Sequence, residues 1–354
     1  MQVTLIGNKF VNDGYGVASA SGLLYQYLQN RINVNAISLE DFKLPSVLKG
    51  IARRNLSLIA QSNRLNGLYL HSMEPDILHL VIPYTAKFNF LRKPKKKIVT
   101  LHDFYPFDRF FVDNEIRRMQ CRHMLLENAF NKFSQRVFKY LDMYDHIITD
   151  TPEIRNRAIE RLNIDVNKIT SIGLIIDEKF KPNLSRKSEN KLIIGYINNY
   201  NWNKTQYLAK FIDAFKKVKN RELELHLYGK GFPFHDLING DQRIKYFGYL
   251  SDERVVDTYN SFSAYLSTSV VEGFGIPILQ AKACKVPVLC YDGNIPKSTK
   301  NNTTLWNEDN ITNILENTLW TKNSTDAAFN DIAIYRPKNI IDMIIYIYEK
   351  VFQE

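Results

Sequence analysis

Three cysteines among 354 residues, Cys121, Cys284 and Cys290, are too few and too scattered for a disulfide framework or a zinc site. They read as reduced thiols of a cytosolic protein. Glycine (15) and proline (12) are scarce, which excludes collagen-like and low-complexity character. No apolar run approaches the roughly 18 residues needed to span a bilayer. The opening ten residues have no basic leader, and Lys9 interrupts their apolar stretch, so no signal peptide is expected. What remains is an ordinary folded composition, 45% hydrophobic and 24% charged, long enough for two domains at roughly 150 residues each.

The net charge is +10, and it is unevenly spread: +8 through Leu184 and +2 beyond. The excess includes Arg92-Lys93-Pro94-Lys95-Lys96-Lys97 and Arg117, Arg118 and Arg122. A basic face attracts anions such as nucleic acid, acidic headgroups or phosphorylated substrates. The plainer alternative is a solvated surface. No nucleic-acid module and no basic-aromatic interleaving accompany the charge, so no nucleic-acid partner is expected.

Short apolar runs alternate with longer segments of helical period, the pattern of parallel α/β structure. In the first half, strands are expected over 3–7, 34–38, 76–82, 97–101, 146–149 and 168–172. Helices are expected over 18–30, 46–61, 113–141 and 152–162, the last with Thr151 as N-cap and Pro152 in its first turn. The stretch 113–141 carries an apolar stripe flanked by basic residues, which would also suit contact with an anionic membrane. The polar segment 181–190 reads as a linker. A second series follows: strands over 191–195, 223–228, 244–247, 264–268 and 286–290, and helices over 204–219, 252–261 and 277–285. A last, largely apolar helix over 337–352 needs a surface to cover. Each half opens with a buried strand, a loop and a helix, which predicts two Rossmann-like domains with ligands at the carboxyl ends of the strands.

The stretch with most chemistry is Ala264–Tyr291, AYLSTSVVEGFGIPILQAKACKVPVLCY. A buried strand runs into Glu272-Gly273-Phe274-Gly275, and a helix follows with Pro277 in its first turn. Two glycines let the backbone approach a ligand, and free N–H groups at a helix start favour an anion such as a diphosphate. Glu272 stands where its carboxylate can accept hydrogen bonds from hydroxyls. In the first half, Asn12-Asp13-Gly14-Tyr15-Gly16 joins a strand to a helix. Ser19 stands where a dinucleotide fingerprint would have its third glycine. His102-Asp103 closes the strand over 97–101, and an imidazole there can hydrogen-bond a ligand hydroxyl. The other histidines have no metal-ligand spacing and read as structural or exposed.

The segment Glu272–Val288 resembles the E-G-F-G-x-P-x-x-E-A-x-A-x-G-x-P-V hallmark of the family 4 retaining glycosyltransferases of the GT-B fold, within glycosyl transferases group 1. Phe247–Glu253, Leu225–Gly231 and 191–204 resemble the same family's donor domain. The resemblance implies two Rossmann-like domains facing a central cleft. The acceptor domain would be 1–182, with the helix 337–354 packed back on it, and the nucleotide-sugar domain 183–336. By the same resemblance Glu272 binds donor-sugar hydroxyls, Lys204 neutralises the diphosphate, and Gly273, Phe274 and Gly275 meet it through their backbone. Gln280 contacts the ribose, and Gly14, Tyr15 and Gly16 approach the donor phosphates. His102 and Asp103 face the acceptor, with His102 near the reacting sugar.

Three positions depart from the pattern: Gln280 replaces a glutamate, Tyr196 an arginine that would meet the diphosphate, and Lys285 a helix-end glycine; Tyr196 is still expected among the donor-binding residues. The implied activity is retaining transfer of a sugar from a UDP- or GDP-linked donor to a hydroxyl of a glycan, lipid-linked or protein acceptor. By the same resemblance no metal or other cofactor is expected, because backbone amides and Lys204 can carry the phosphate charge, and the sequence agrees in having no D-x-D pair on a suitable loop. The expected place is the cytoplasm, with peripheral contact at an anionic membrane face. A catalytically silent homologue that binds a sugar or a partner is the alternative that Tyr196 and Gln280 leave open.

Overall fold

The computed structural model describes residues 1–7, 9–10, 16–38, 74–83, 94–104, 138–183, 185, 191–198, 200, 205, 207–322 and 325–354. The helices expected over 46–61 and through most of 113–141 lie outside them. The chain divides into two units, Met1–Ile175 with Pro337–Glu354, and Ile176–Arg336.

The first unit is a six-stranded sheet ordered β2-β1-β3-β4-β5-β6, every neighbour parallel. Its strands are β1 (Gln2–Gly7), β2 (Asn33–Ser38), β3 (Ile77–Leu80), β4 (Lys96–Leu101), β5 (His146–Thr149) and β6 (Ile169–Ser171), with helices α1 (Gly16–Leu28) and α2 (Pro152–Leu162). β3 and β5 are buried at every residue, as strands covered on both faces must be. In α2 the Thr151 hydroxyl accepts from the Ile154 N–H, Pro152 fills the first turn, and Asn163 closes the helix at φ 54°.

The second sheet is ordered β12-β11-β10-β7-β8-β9 and is also parallel throughout. It comprises β7 (Leu192–Ile197), β8 (Leu223–Tyr228), β9 (Ile244–Gly248), β10 (Ala264–Ser267), β11 (Val288–Tyr291) and β12 (Thr304–Trp306). Helices α3 (Leu208–Lys217), α4 (Asp252–Ser261) and α5 (Ile276–Ala283) connect them. Phe211, Phe215, Trp306 and Trp320 are fully buried in the core of this unit, each fully buried aromatic stabilising by about 1.5–3 kcal/mol. The strand order reverses between β7 and β10, so the crevice for a ligand opens at their carboxyl ends.

Two expectations are corrected. The division falls at Ile175/Ile176 rather than at 182/183, because residues 176–182 are tied to the second unit. Ile176 N–H donates to the Tyr335 carbonyl at 2.9 Å, and Arg336 reaches the carbonyls of Asp177 (3.2 Å) and Phe180 (3.1 Å). The helix expected over 277–285 is Ile276–Ala283, since Lys285 takes φ 54° and cannot continue it. β12 was not expected at all; its three residues fall among polar neighbours and show no periodicity.

The last helix, α6 (Pro337–Gln353), belongs to the first unit. Buried His79 on β3 joins it to the sheet. Its Nδ1 meets the Tyr348 hydroxyl at 2.7 Å and its Nε2 the Thr100 hydroxyl at 2.8 Å. Burial, with His102 and His146 adding, holds the His79 pKa down at about 3. Its stabilising contribution is therefore complete above the ordinary value of about 6.5 and is lost as pH falls toward 3. Tyr348→Phe leaves a His79 nitrogen without its partner and should cost about 1–3 kcal/mol. The loss should appear as a lower Tm at neutral pH; an unchanged Tm would mean that another group replaces the hydroxyl.

Candidate active site

The turn after β10 lies at the switch point of the second sheet. Ser267, Thr268 and Ser269 are buried, and Glu272 and Gly273 lie half-buried in the loop that follows. Gly275 caps α5 at φ 84°, ψ 46°, left-handed backbone that suits glycine. A Cβ there would stand 2.8 Å from the Thr299 methyl. Among the described residues, the N–H groups of Gly273, Phe274 and Gly275 donate no hydrogen bond within the chain. They stand at the positive end of α5, a setting that favours an anion. The Phe274 ring is buried edge-on to Tyr335, centroids 5.0 Å apart, so only its backbone is offered to a ligand.

Glu272 extends this site with a negative charge. Burial, above all, pushes the Cys290 thiol up to about 12, and the nearby Glu272 carboxylate adds to the rise. Tyr196 and Tyr265 are raised by burial and by the same carboxylate. Tyr196 was expected to meet the donor, but it is fully buried. Its hydroxyl bonds the Thr268 side chain, which places it beneath the loop as a support. Gln280 is half-buried on α5, and its Oε1 accepts the Tyr259 hydroxyl at 3.3 Å.

Register explains the first unit's site. Leu101 of β4 pairs with Thr149 of β5, so the next residues, His102 and Asp150, come side by side at the carboxyl edge. His102 Nδ1 faces both Asp150 oxygens at 3.0 and 2.9 Å, and Nε2 faces the Val81 carbonyl at 2.7 Å. A carbonyl only accepts, so Nε2 holds a hydrogen, and the carboxylate draws a second onto Nδ1. Burial opposes the charge, but Asp150 and the Val81 carbonyl outweigh it and raise the His102 pKa. The expectation that His102 offers a nitrogen to a sugar is thus corrected: both nitrogens are used within the unit. Asp103 is half-buried beside it. Asp150 was missed, although an aspartate closing the strand over 146–149 was its visible signal.

Gly14, Tyr15 and Lys204 lie outside the described residues; Gly16 is the first residue of α1. The lysine run enters β4 at its amino end, opposite His102. Asp76 binds Lys95 at 2.6 Å and stands 3.9 Å from the N-terminal amine, and Asp145 stands 4.0 Å from Lys96. These carboxylates face two of the run's cations, Lys95 and Lys96. Among the described residues no group of three His, Cys, Asp or Glu side chains is gathered to hold a metal ion, and no helix is long and apolar enough to cross a membrane.

Residues 177–313 match the family described as Glycosyl transferases group 1. Over 47 residues, 13% of this chain and 12% of the relative, the sequence is 45% identical to O-antigen chain mannosyltransferase B of Escherichia coli. Among solved structures, sucrose-phosphate synthase of Thermosynechococcus elongatus is similar with a TM-score of 0.76, 15% identity and 100% coverage of both chains. HepE of Anabaena in complex with UDP and glucose gives 0.66 and 14%, covering 99% of this chain and all of that one. The lipopolysaccharide outer core galactosyltransferase WaaB gives 0.65 and 15% with the same coverage. The fold is GT-B, and the family resemblance carried by Glu272–Val288 holds over 177–313.

The His102–Asp150 pair makes a direct expectation. With the folded pKa raised, the pair's stabilisation is complete below about 6.5 and is lost as pH rises through the folded value. Ring NMR should find His102 still protonated above pH 6.5. In Asp150→Asn, burial prevails and the ring should titrate below 6.5. A His102 ring neutral at pH 6.5 in the unsubstituted protein would refute the ion pair.

Proposed function

We propose that this protein is a retaining glycosyltransferase that moves a sugar from a UDP- or GDP-linked donor to a hydroxyl of a glycan, glycolipid or glycoprotein, without a metal, in the cytoplasm. The observation that carries the reading is the turn at the sheet's switch point. It offers N–H groups that have no partner among the described residues, at a helix start beside a carboxylate, which suits a diphosphate joined to a polyhydroxyl ring. The similar proteins, a mannosyltransferase, a galactosyltransferase and a protein in complex with UDP, support the same class.

On this reading the second unit holds the donor. The N–H groups of Gly273 to Gly275 and the Lys204 ammonium take the diphosphate, and Glu272 accepts from sugar hydroxyls. Gln280 keeps its amide nitrogen for the ribose while its oxygen holds Tyr259. The bond from the anomeric carbon to the phosphate oxygen breaks, and the acceptor oxygen bonds that carbon from the same face. The departing phosphate takes the acceptor's proton. Dipoles and a cation fixed before reaction are the largest source of such stabilisation. The acceptor half falls to the first unit, where Asp103 faces the hydroxyl and His102 fixes the strand ends beneath it. The basic residues of 113–141 would serve an anionic acceptor or membrane face.

A thermal-shift panel of nucleotide sugars tests the reading, and binding should survive EDTA. Dependence on magnesium or manganese would refute the metal-free form, and no binding by any donor would refute the reading itself. With the donor so found, Glu272→Ala should lower kcat by on the order of a hundredfold or more with the fold retained. Gln280→Ala should chiefly raise the donor KM. The reverse pattern would mean that the two residues exchange roles.

A further inference from the structure

The chain from β11 to β12 returns beneath the Glu272–Gly275 turn and holds it at both ends. Upstream, Asn294 N–H donates to the Val270 carbonyl at 2.7 Å, and the Asn294 carbonyl accepts from Glu272 N–H at 3.4 Å. Gly293 packs there so closely that a Cβ would stand 2.5 Å from the Val270 oxygen. Downstream, fully buried Thr299 donates its hydroxyl to the Phe274 carbonyl at 2.6 Å. The segment bearing Thr299 is itself anchored to α5, because buried Lys282 donates to the Asn301 carbonyl at 2.6 Å and pairs with Asp331 at 3.2 Å.

A trans peptide is planar and its C=O and N–H point in opposite directions; none in the described chain is cis. Tying the Phe274 carbonyl to Thr299 therefore turns the Gly275 N–H away from Thr299, and that N–H has no partner among the described residues. The same residue's methyl lies against the space a Gly275 side chain would take. We infer that Thr299 is a positioning residue: its hydroxyl aims the Gly275 N–H at the donor diphosphate. The inference rests on the donor reading above and adds the group that orients the phosphate-binding peptide. A threonine suits the position because serine lacks the methyl and valine lacks the donor.

The test uses the full chain and four probes, UDP, GDP, uridine and guanosine, titrated by calorimetry. Thr299→Val and Thr299→Ala should weaken the nucleoside diphosphate that binds by about tenfold, the scale of one lost hydrogen bond. Binding of its nucleoside should not change. Thr299→Ser keeps the donor and should stay within about threefold of the unsubstituted protein. Diphosphate affinity unchanged in both Val and Ala variants would overturn the inference, as would equal losses for nucleotide and nucleoside. If the Val variant fails to fold, the Ala and Ser pair decides by the same comparison. If the unsubstituted protein binds neither UDP nor GDP, the donor reading falls, and the inference with it; binding that survives in every variant removes Thr299 alone.

Discussion

The backbone at residue 275 is the constraint on which the second unit's chemistry depends. Its φ is +84°, and the Thr299 methyl occupies the space a side chain would need. A left-handed residue is what lets the chain leave β10, turn sharply and start α5 with its first N–H groups free of intrahelical partners. A side-chain residue there would meet both the backbone penalty of about 1–2 kcal/mol and the collision with Thr299. Everything around the turn answers to that geometry. Gly293 allows the return segment to approach, Thr299 fills the space and takes the carbonyl, and Tyr196 holds Thr268 from below.

Charge follows local rules more than a global plan. The excess in the first half invited a reading as one basic face. In the structure, part of it is spent at the amino ends of the strands, where Asp76 and Asp145 face Lys95 and Lys96. The buried charges are equally partnered: His102 with Asp150, and Lys282 with Asp331 and a carbonyl. Unpaired, each would carry a desolvation cost of several kcal/mol. Arg243 shows the same economy at the end of α3, giving its guanidinium to Asp241 and to the carbonyls of Val218 and Asn220.

Most of the fold was legible because parallel strands buried on both faces leave unbroken apolar runs, as at 192–197 and 288–291. The turn at Glu272–Gly275 was legible because the whole segment through Val288, rather than its glycines alone, resembles a family hallmark. What stayed hidden is side-chain partnership. Nothing in the sequence says that Tyr196 points down into the core, since β7 is apolar on both faces and the strand pattern does not tell them apart. His102 looked free because its partners, Asp150 and the Val81 carbonyl, are distant in sequence and meet only through register. The unit boundary was misplaced for a related reason. The polar stretch over 181–190 looked like a linker, while the residues before it are captured by Tyr335 and Arg336 from far along the chain.

The departures from the family pattern now separate by what each position demands. Lys285 stands where the pattern has glycine, and its φ of 54° shows that the left-handed requirement persists. Lysine meets it at a modest cost, and its ammonium reaches Asp326 at 2.6 Å. Gln280 stands where the pattern has glutamate, and the acceptor role toward Tyr259 needs only an oxygen, which an amide supplies. Tyr196 stands where the pattern has arginine, and its phenol serves Thr268 from inside the core, a place that would hold an unpaired guanidinium only at great cost. In each case a different side chain meets the local demand. Glu272 and Gly275 are of another kind. Glu272 brings the carboxylate to the lip of the turn and Gly275 the left-handed corner against Thr299, and at both positions the chain keeps the pattern unchanged.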